Sequence, residues 1–516
     1  VWSTTTTADK YVIGLYSIFG ANTEMRGGDA YASPRLSDAY SDILKSTSWN
    51  QYNHNFNATL LQETAFNSNS AGAFECWSSH YDRIRRENEF LRDAAEFGRK
   101  FGEDWLKIRI AEVRFCRAYA YFMLCRVYGG VILRTEVDGP EQNDKARSTE
   151  EECWGFIINE LKELAPDLPL KWDSDNSGRA TQKAAYGLLS RVALYAEKWD
   201  VAAQAARDCA TAEGNLDLSK NGYAKIFELG INSPEVLFAV EFKSSVIDHA
   251  YDAYVRPSGD TKELGKQVYS GFVPTSELVD SYEMAGDGGN FSWEKHGKDP
   301  YANREPRFYA TILYNGADWM GRKIESFVGG KDGYKAYENA GAAGTTVTGY
   351  YLRKYLIDGD KTWVTSGSGQ DWIVLRYAEV LLNKAEALAM ENWNKNSAEA
   401  LQALNDVRAR VGLPARATAD KETFLEYVRH ERKVELAGEG FRYWDLRRWR
   451  LAEKVIDGQN VHGVKISKQS DGSFTYEQVD ADGGHKRIFY DRYYRFAIPL
   501  SERSNNSLCT NNDGWI

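Results

Sequence analysis

Glu431, Glu435 and Glu439 recur every four residues in ERKVELAGEG, a spacing that stacks them on one face of a helix. Paired carboxylates invite a reading as glycoside-hydrolysis chemistry, in which one carboxyl must stay protonated to act as an acid. Arg432, Arg442 and Arg447 lie close by in sequence, and neighbouring guanidiniums keep carboxylates ionised instead. The three glutamates therefore read as structural ion pairs. Two further groupings, HYD (His80–Asp82) and RHE (Arg429–Glu431), fall inside helical patterns and read the same way. The chain has 7 His and no HExxH, P-loop or GxSxG with triad partners. No catalytic residue, metal-ligand set or cofactor motif emerges, so the expectation is a binding protein and not an enzyme.

The chemistry that composition does favour is stacking. With 15 Trp, 31 Tyr and 22 Phe, aromatics make up 13% of the chain, and their flat apolar faces suit the C–H faces of sugar rings. Most must be core. Three stretches place them in turn-rich, polar surroundings instead: Trp293 in GDGGNFSWEKHG, Trp319 in NGADWMG, and Trp49 with Tyr52 in STSWNQYNHN. Asn50, Asn53 and Asp318 stand beside them as hydrogen-bonding groups for hydroxyls. The competing reading for each aromatic is that it plugs a small loop cluster.

A length of 516 residues with 43% hydrophobic and 27% charged residues describes a chain with a full-sized core. A formal net charge of −10 argues against a nucleic-acid partner, which would require a concentrated positive field. The basic cluster Arg442, Arg447, Arg448 and Arg450, interleaved with Trp444 and Trp449, reads as a helix end that packs indoles and pairs charges. No apolar run reaches the roughly 18 residues of a membrane-spanning helix. The six cysteines show no CxxC or metal spacing and read as small hydrophobes, not as a disulfide framework. A chain that starts at Val1 without a signal sequence reads as a processed or truncated form.

The elements that must position these groups are mainly helical. Apolar periodicity predicts four helix pairs of tetratricopeptide type: Ala8–Phe19 with Cys76–Phe97, Trp105–Tyr128 with Thr149–Leu164, Thr181–Lys198 with Val201–Ala212, and Trp372–Glu391 with a helix capped at Asn396. Glu399 three residues later completes a capping-box pattern there, and Gly412 and Pro414 close the helix. Between Gly214 and Gln370 helical periodicity fades, turn residues rise, and strand-like pieces appear at Val236–Phe242 and Phe308–Tyr314. The expected organisation is 1–213 as helical repeats with a loop insertion at about 22–69, 214–370 as a loop-rich binding region, and 371–516 as the last repeat with a C-terminal segment.

Seven stretches, in order along the chain, resemble the SusD/RagB family of Bacteroidetes. They are WSSHYDRIRRENEFL from Trp77, the run Ala111–Leu133, GRATQKAAYGLLSRVALY from Gly178, NSPEVLF from Asn232, REPRFYATILYNG from Arg304, the pair LRYAEVLLNKAEAL and ERKVELAGEGFRYWDLRRW, and the close FAIPLSERSNNSLCTNNDGW. In that close Thr510 and Asn511 depart slightly from the family's usual pattern. The resemblance implies a mainly α fold in which four tetratricopeptide-like pairs scaffold a loop-rich region with a few short strands. It implies a surface-exposed lipoprotein of the outer membrane, held by an N-terminal lipidated Cys that this chain does not include. Its function would be to capture an oligosaccharide or polysaccharide and deliver it to a SusC-like TonB-dependent transporter. The same architecture serving a peptide or another nutrient is the alternative; a glycan-active enzyme and a generic helical adaptor fit less well.

Overall fold

The computed structural model describes residues 1–25, 34–47, 66–337 and 344–516. Nine helices carry the scaffold and are numbered here in chain order: α1 (Thr5–Leu15), α2 (Trp77–Phe97), α3 (Glu103–Tyr128), α4 (Glu150–Leu164), α5 (Gln182–Tyr195), α6 (Trp199–Thr211), α7 (Tyr377–Arg410), α8 (Lys421–Glu435) and α9 (Arg442–Arg448). From α2 to α8 each of these helices packs against the next in the series, the progression that a stack of helical hairpins produces. From Ala111 onward helix α3 is buried on nearly every side, packed among α2, α4 and α5, and takes Glu112 and Arg117 into the interior with it. Helix α4 starts at a capping box, with Thr149 accepting from the Glu152 backbone N–H and Glu152 accepting from that of Thr149. Small residues set the closest approach: α6 turns Ala202, Ala203, Ala205 and Ala206 inward, and a Cβ added at Gly187 in α5 would meet Leu237 at 2.9 Å. No helix among the described residues is long and apolar enough to cross a membrane. All six cysteines are free, five of them buried.

Three local expectations need correction. The predicted helix from Trp372 begins five residues late, at Tyr377, because WIVLR is a continuously buried, β-branched run. Trp372–Arg376 is instead a strand paired antiparallel with Val236–Val240. Asn396 is not the cap of the following helix. The chain is extended at Asn392 (φ −165°, ψ 96°), whose side chain accepts from the Lys395 N–H at 3.1 Å, while Asn396 is buried and donates back to the Leu388 carbonyl. The stretch from Phe308 is mostly a one-and-a-half-turn helix, Pro306–Thr311, begun by a proline at its first position; only Ile312–Leu313 is strand.

The remaining sheet is a set of two-stranded ladders. The longest is a hairpin of His462–Lys468 with Phe474–Asp480, which lies after the last scaffold helix in sequence. What fastens the loop-rich region to the helices is a buried ion-pair lattice around the end of α8. Glu435 meets Arg376 at 2.8 Å, Arg307 at 2.8 Å and Arg410; Glu431 meets Arg307 at 2.6 Å and Arg408 at 3.0 Å; Glu439 meets Arg376 at 2.7 Å and Lys354 at 2.9 Å. The glutamates are indeed structural, but their partners are not those nearest in sequence. Arg432 pairs with Asp445 and Arg442 with Asp42, both at 2.8 Å, while among the described residues Arg447 has only backbone carbonyls as partners. Helix α8 also ends at Glu435, so Glu439 joins the lattice from the turn beyond.

Candidate functional site: an aromatic band beside a cleft

Ser292 caps a one-turn helix, Trp293–His296, accepting from the Lys295 N–H at 3.1 Å. The cap fixes the backbone from which Trp293 projects. Its indole N–H donates to Asp280 at 3.1 Å, and its ring lies 5.5 Å from Tyr476 of the long hairpin. Tyr476 lies 6.0 Å from Tyr301, Tyr301 lies 5.0 Å from Tyr314, and Tyr314 lies 5.9 Å from Tyr309. Trp293, Tyr476, Tyr314 and Tyr309 are each half-buried, whereas Tyr301 is buried beneath them. The result is a band of four part-open rings, Trp293, Tyr476, Tyr314 and Tyr309, joined through the buried Tyr301.

The band ends at a cleft of about 540 Å³ walled by Tyr309, Pro306, Arg353, Tyr355 and Arg410. Tyr309 is fixed at its hydroxyl, which donates to the Tyr301 carbonyl at 2.5 Å and accepts from the Arg304 N–H at 3.2 Å. The hydroxyls of Tyr314 and Tyr476 and the guanidinium of Arg353 form no hydrogen bond or ion pair to other described residues. Burial raises the pKa of the Tyr314 phenol, helped by Tyr309 and by the carboxylates of Asp318 and Asp299, with Arg353 opposing. Polar groups of both signs therefore surround the middle of the band. Burial pushes Asp280 up to about 6, a shift the Trp293 N–H opposes by favouring the charged form.

The sequence-predicted residues divide accordingly. Trp293 belongs to the band, and Asp318 is exposed beside it, paired with Lys323 at 2.6 Å. Trp319 must be corrected: it is fully buried, donating to Asp260 at 3.0 Å, with the Arg256 and Arg353 guanidiniums over its ring at 5.2 and 5.8 Å. In the two-residue ladder Asp318–Trp319 with Arg322–Lys323 the side chains alternate, so an outward Asp318 sends Trp319 inward. Trp319 has no face to offer a ligand; it supports Arg353. Trp49, Asn50, Tyr52 and Asn53 lie outside the described residues. Tyr309, Tyr314, Tyr476 and Arg353 escaped the sequence reading. The alternation in FTYEQVD was the available signal for Tyr476, since it marks a strand with one face outward.

Among the described residues one grouping has metal-ligand proximity: ligand atoms of Glu283, His430 and Glu431 lie within 4.8 Å of one another. Arg408 reaches both glutamates, at 2.8 and 3.0 Å, and Arg416 reaches Glu283 at 2.7 Å. Guanidiniums already supply the positive charge there, so the grouping is part of the ion-pair lattice and does not fit a cation.

Comparison with known proteins places this architecture. A family model described as "SusD family" matches residues 234–515, and one described as "Starch-binding associating with outer membrane" matches residues 8–194. A SusD-like protein of Bacteroides ovatus is 26% identical over 452 residues, covering 82% of this chain and 74% of that protein. Among solved structures, a SusD-like protein from Bacteroides fragilis superposes with a TM-score of 0.84 at 27% identity, covering 100% of this chain and 98% of that one. A SusD-like carbohydrate-binding protein, also from Bacteroides fragilis, shares the fold with a TM-score of 0.80 at 24% identity, covering 98% of this chain and 99% of the other. The first family model alone takes in more than half of the sequence, and on that match the chain belongs to the SusD family.

Proposed function

We propose that this protein is a non-catalytic glycan-binding protein of the outer-membrane surface, held there by an N-terminal lipid anchor, that passes oligosaccharide or polysaccharide to a SusC-like TonB-dependent transporter. The observation that carries the reading is the band from Trp293 through Tyr476 and Tyr314 to Tyr309. Part-open rings in series suit a chain of sugar units, and the cleft with Arg353 suits hydroxyls at one end. Trp49 and Tyr52, with Asn50 and Asn53, are proposed to add a further stacking and hydrogen-bonding group, and Asp318 a polar contact. The match of residues 8–194 to a family model described as starch-binding and associating with the outer membrane supports both the ligand class and the location.

Fully burying a large apolar side chain is worth about 1.5–3 kcal/mol. Two or three half-covered platforms with hydrogen bonds then give about 4–7 kcal/mol, a millimolar to micromolar affinity. That range suits capture followed by release. Affinity electrophoresis through gels containing single polysaccharides, starch among them, tests the reading when wild-type protein is run beside Trp293→Ala and Tyr476→Ala. Retardation that both substitutions weaken supports it. Retardation that neither changes, or release of reducing sugar from the gel polysaccharide, counts against it.

A further inference from the structure

The arginine–tryptophan cluster around Trp444, Arg447, Arg448 and Arg450 closes a second cavity, of about 360 Å³, which shares no lining residue with the cleft beside Tyr309. Its floor is buried: Cys125, Trp444 and Arg447 are 1%, 2% and 3% exposed. Its rim, with Glu151, Glu197, Lys198 and Arg450, is exposed, so the cavity opens to solvent. The Trp444 ring lies between two guanidiniums, Arg126 at 3.8 Å from its centroid and Arg447 at 4.8 Å.

What sets the cavity apart is charge without counter-charge. Arg448 is neutralised by Glu386 at 2.6 Å and Asp445 at 2.8 Å, and Arg495 by Glu150 at 2.6 Å. Among the described residues Arg126, Arg447 and Arg450 have no carboxylate partner. Among the described residues Arg447 donates only to the carbonyls of Arg126, Tyr493 and Tyr494, and the buried Nε of Arg126 has no acceptor. Glu24 stands within electrostatic range of Arg126, but burial and Asp38 push its own carboxyl towards the neutral form. Arg447 is held down to about 10 by burial, with Arg495 and Arg126 lowering it further against the opposing effect of Tyr443. Unpaired guanidiniums facing a shared void are costly, and an entering oxyanion would offset that cost with charge-assisted hydrogen bonds.

We propose that this cavity is a second binding site, for the carboxylate or sulfate group of a small anion, with Arg126 and Arg447 at its floor and Arg450 at its mouth. A volume within the ~300–1,000 Å³ of small-ligand sites leaves room for one sugar ring behind the anionic group, against Tyr195. An acidic sugar and a bare inorganic anion share this chemistry, and titration calorimetry separates them by using glucuronate and inorganic sulfate as probes, with glucose as the neutral control. The expected result is saturable binding of glucuronate, sulfate or both at constant ionic strength, and none of glucose. Arg450→Gln, at an exposed position, should weaken binding about fivefold, and Arg126→Gln should abolish it. Trp293→Ala should leave it unchanged, which keeps this test independent of the aromatic band. Absence of saturable binding of both anions to the wild-type protein overturns the proposal, as does binding that Arg450→Gln and Arg126→Gln leave intact.

Discussion

Two tryptophans in similar Gly-rich turns, Trp293 and Trp319, have opposite fates, although the indole N–H of each reaches an aspartate. Trp293 donates to Asp280 and remains half-open, whereas Trp319 donates to Asp260 and is covered by Arg256 and Arg353. Trp319→Ala should therefore lower stability by about 3–5 kcal/mol in denaturant unfolding, while Trp293→Ala should cost little stability and reduce ligand affinity. Asp280 supplies a second check. With its pKa pushed up to about 6, it is neutral at pH 5 and charged at pH 7, which changes the field at the Trp293 indole. The emission of Trp293 should titrate near pH 6 in the wild-type protein and lose that transition in Asp280→Asn. Sequence composition could not separate the two residues. Both lie in stretches rich in Gly, Asn and Asp, and only the register of the Asp318–Trp319 ladder turns one inward.

At the scale of elements, helices were legible because their apolar faces repeat with the helical period, and their starts carry side-chain caps such as Thr149 and Thr181. The strand Trp372–Arg376 was not, because a short run buried on both faces has no period to read. Nor were the partners of Glu431, Glu435 and Glu439, which come from segments as distant as Arg307 and Arg376. Removing one of those partners leaves carboxylates buried and uncompensated. Arg376→Ala should cost about 3–5 kcal/mol by denaturant unfolding, whereas Asn392→Ala, which removes only a cap, should cost about 1 kcal/mol. The lattice also sets an acid limit. Burial would raise Glu283, Glu435 and Glu439, but their arginine neighbours outweigh it; Glu283 falls to about 2 from a free value of 4.5, and His430 contributes to that fall. Groups with depressed folded pKa values contribute fully above the free value and lose that contribution as pH falls through the folded one. Thermal stability should therefore decline as pH drops below 4.5 towards 2, and Arg376→Ala should flatten that decline.

The whole molecule combines a series of helices, each packed on the next from α2 to α8, with irregular chain that carries most of the rings of the band. The band draws Trp293, Tyr309 and Tyr314 from the loop-rich middle and Tyr476 from the C-terminal hairpin, far apart in sequence but joined through Tyr301. A site assembled across such distances has no local motif, which is why family and scaffold could be read from seven stretches while the ring sequence could not. The central claim is that these rings act together on one extended glycan. The most direct measurement compares retardation of wild-type protein with that of the triple variant Trp293→Ala, Tyr314→Ala, Tyr476→Ala in polysaccharide-containing gels, after circular dichroism has established that both are folded. The account predicts that at least one polysaccharide retards the wild-type protein and that the triple variant migrates as it does in an empty gel. A triple variant retarded as strongly as the wild type, or a wild-type protein that no polysaccharide retards, would contradict it.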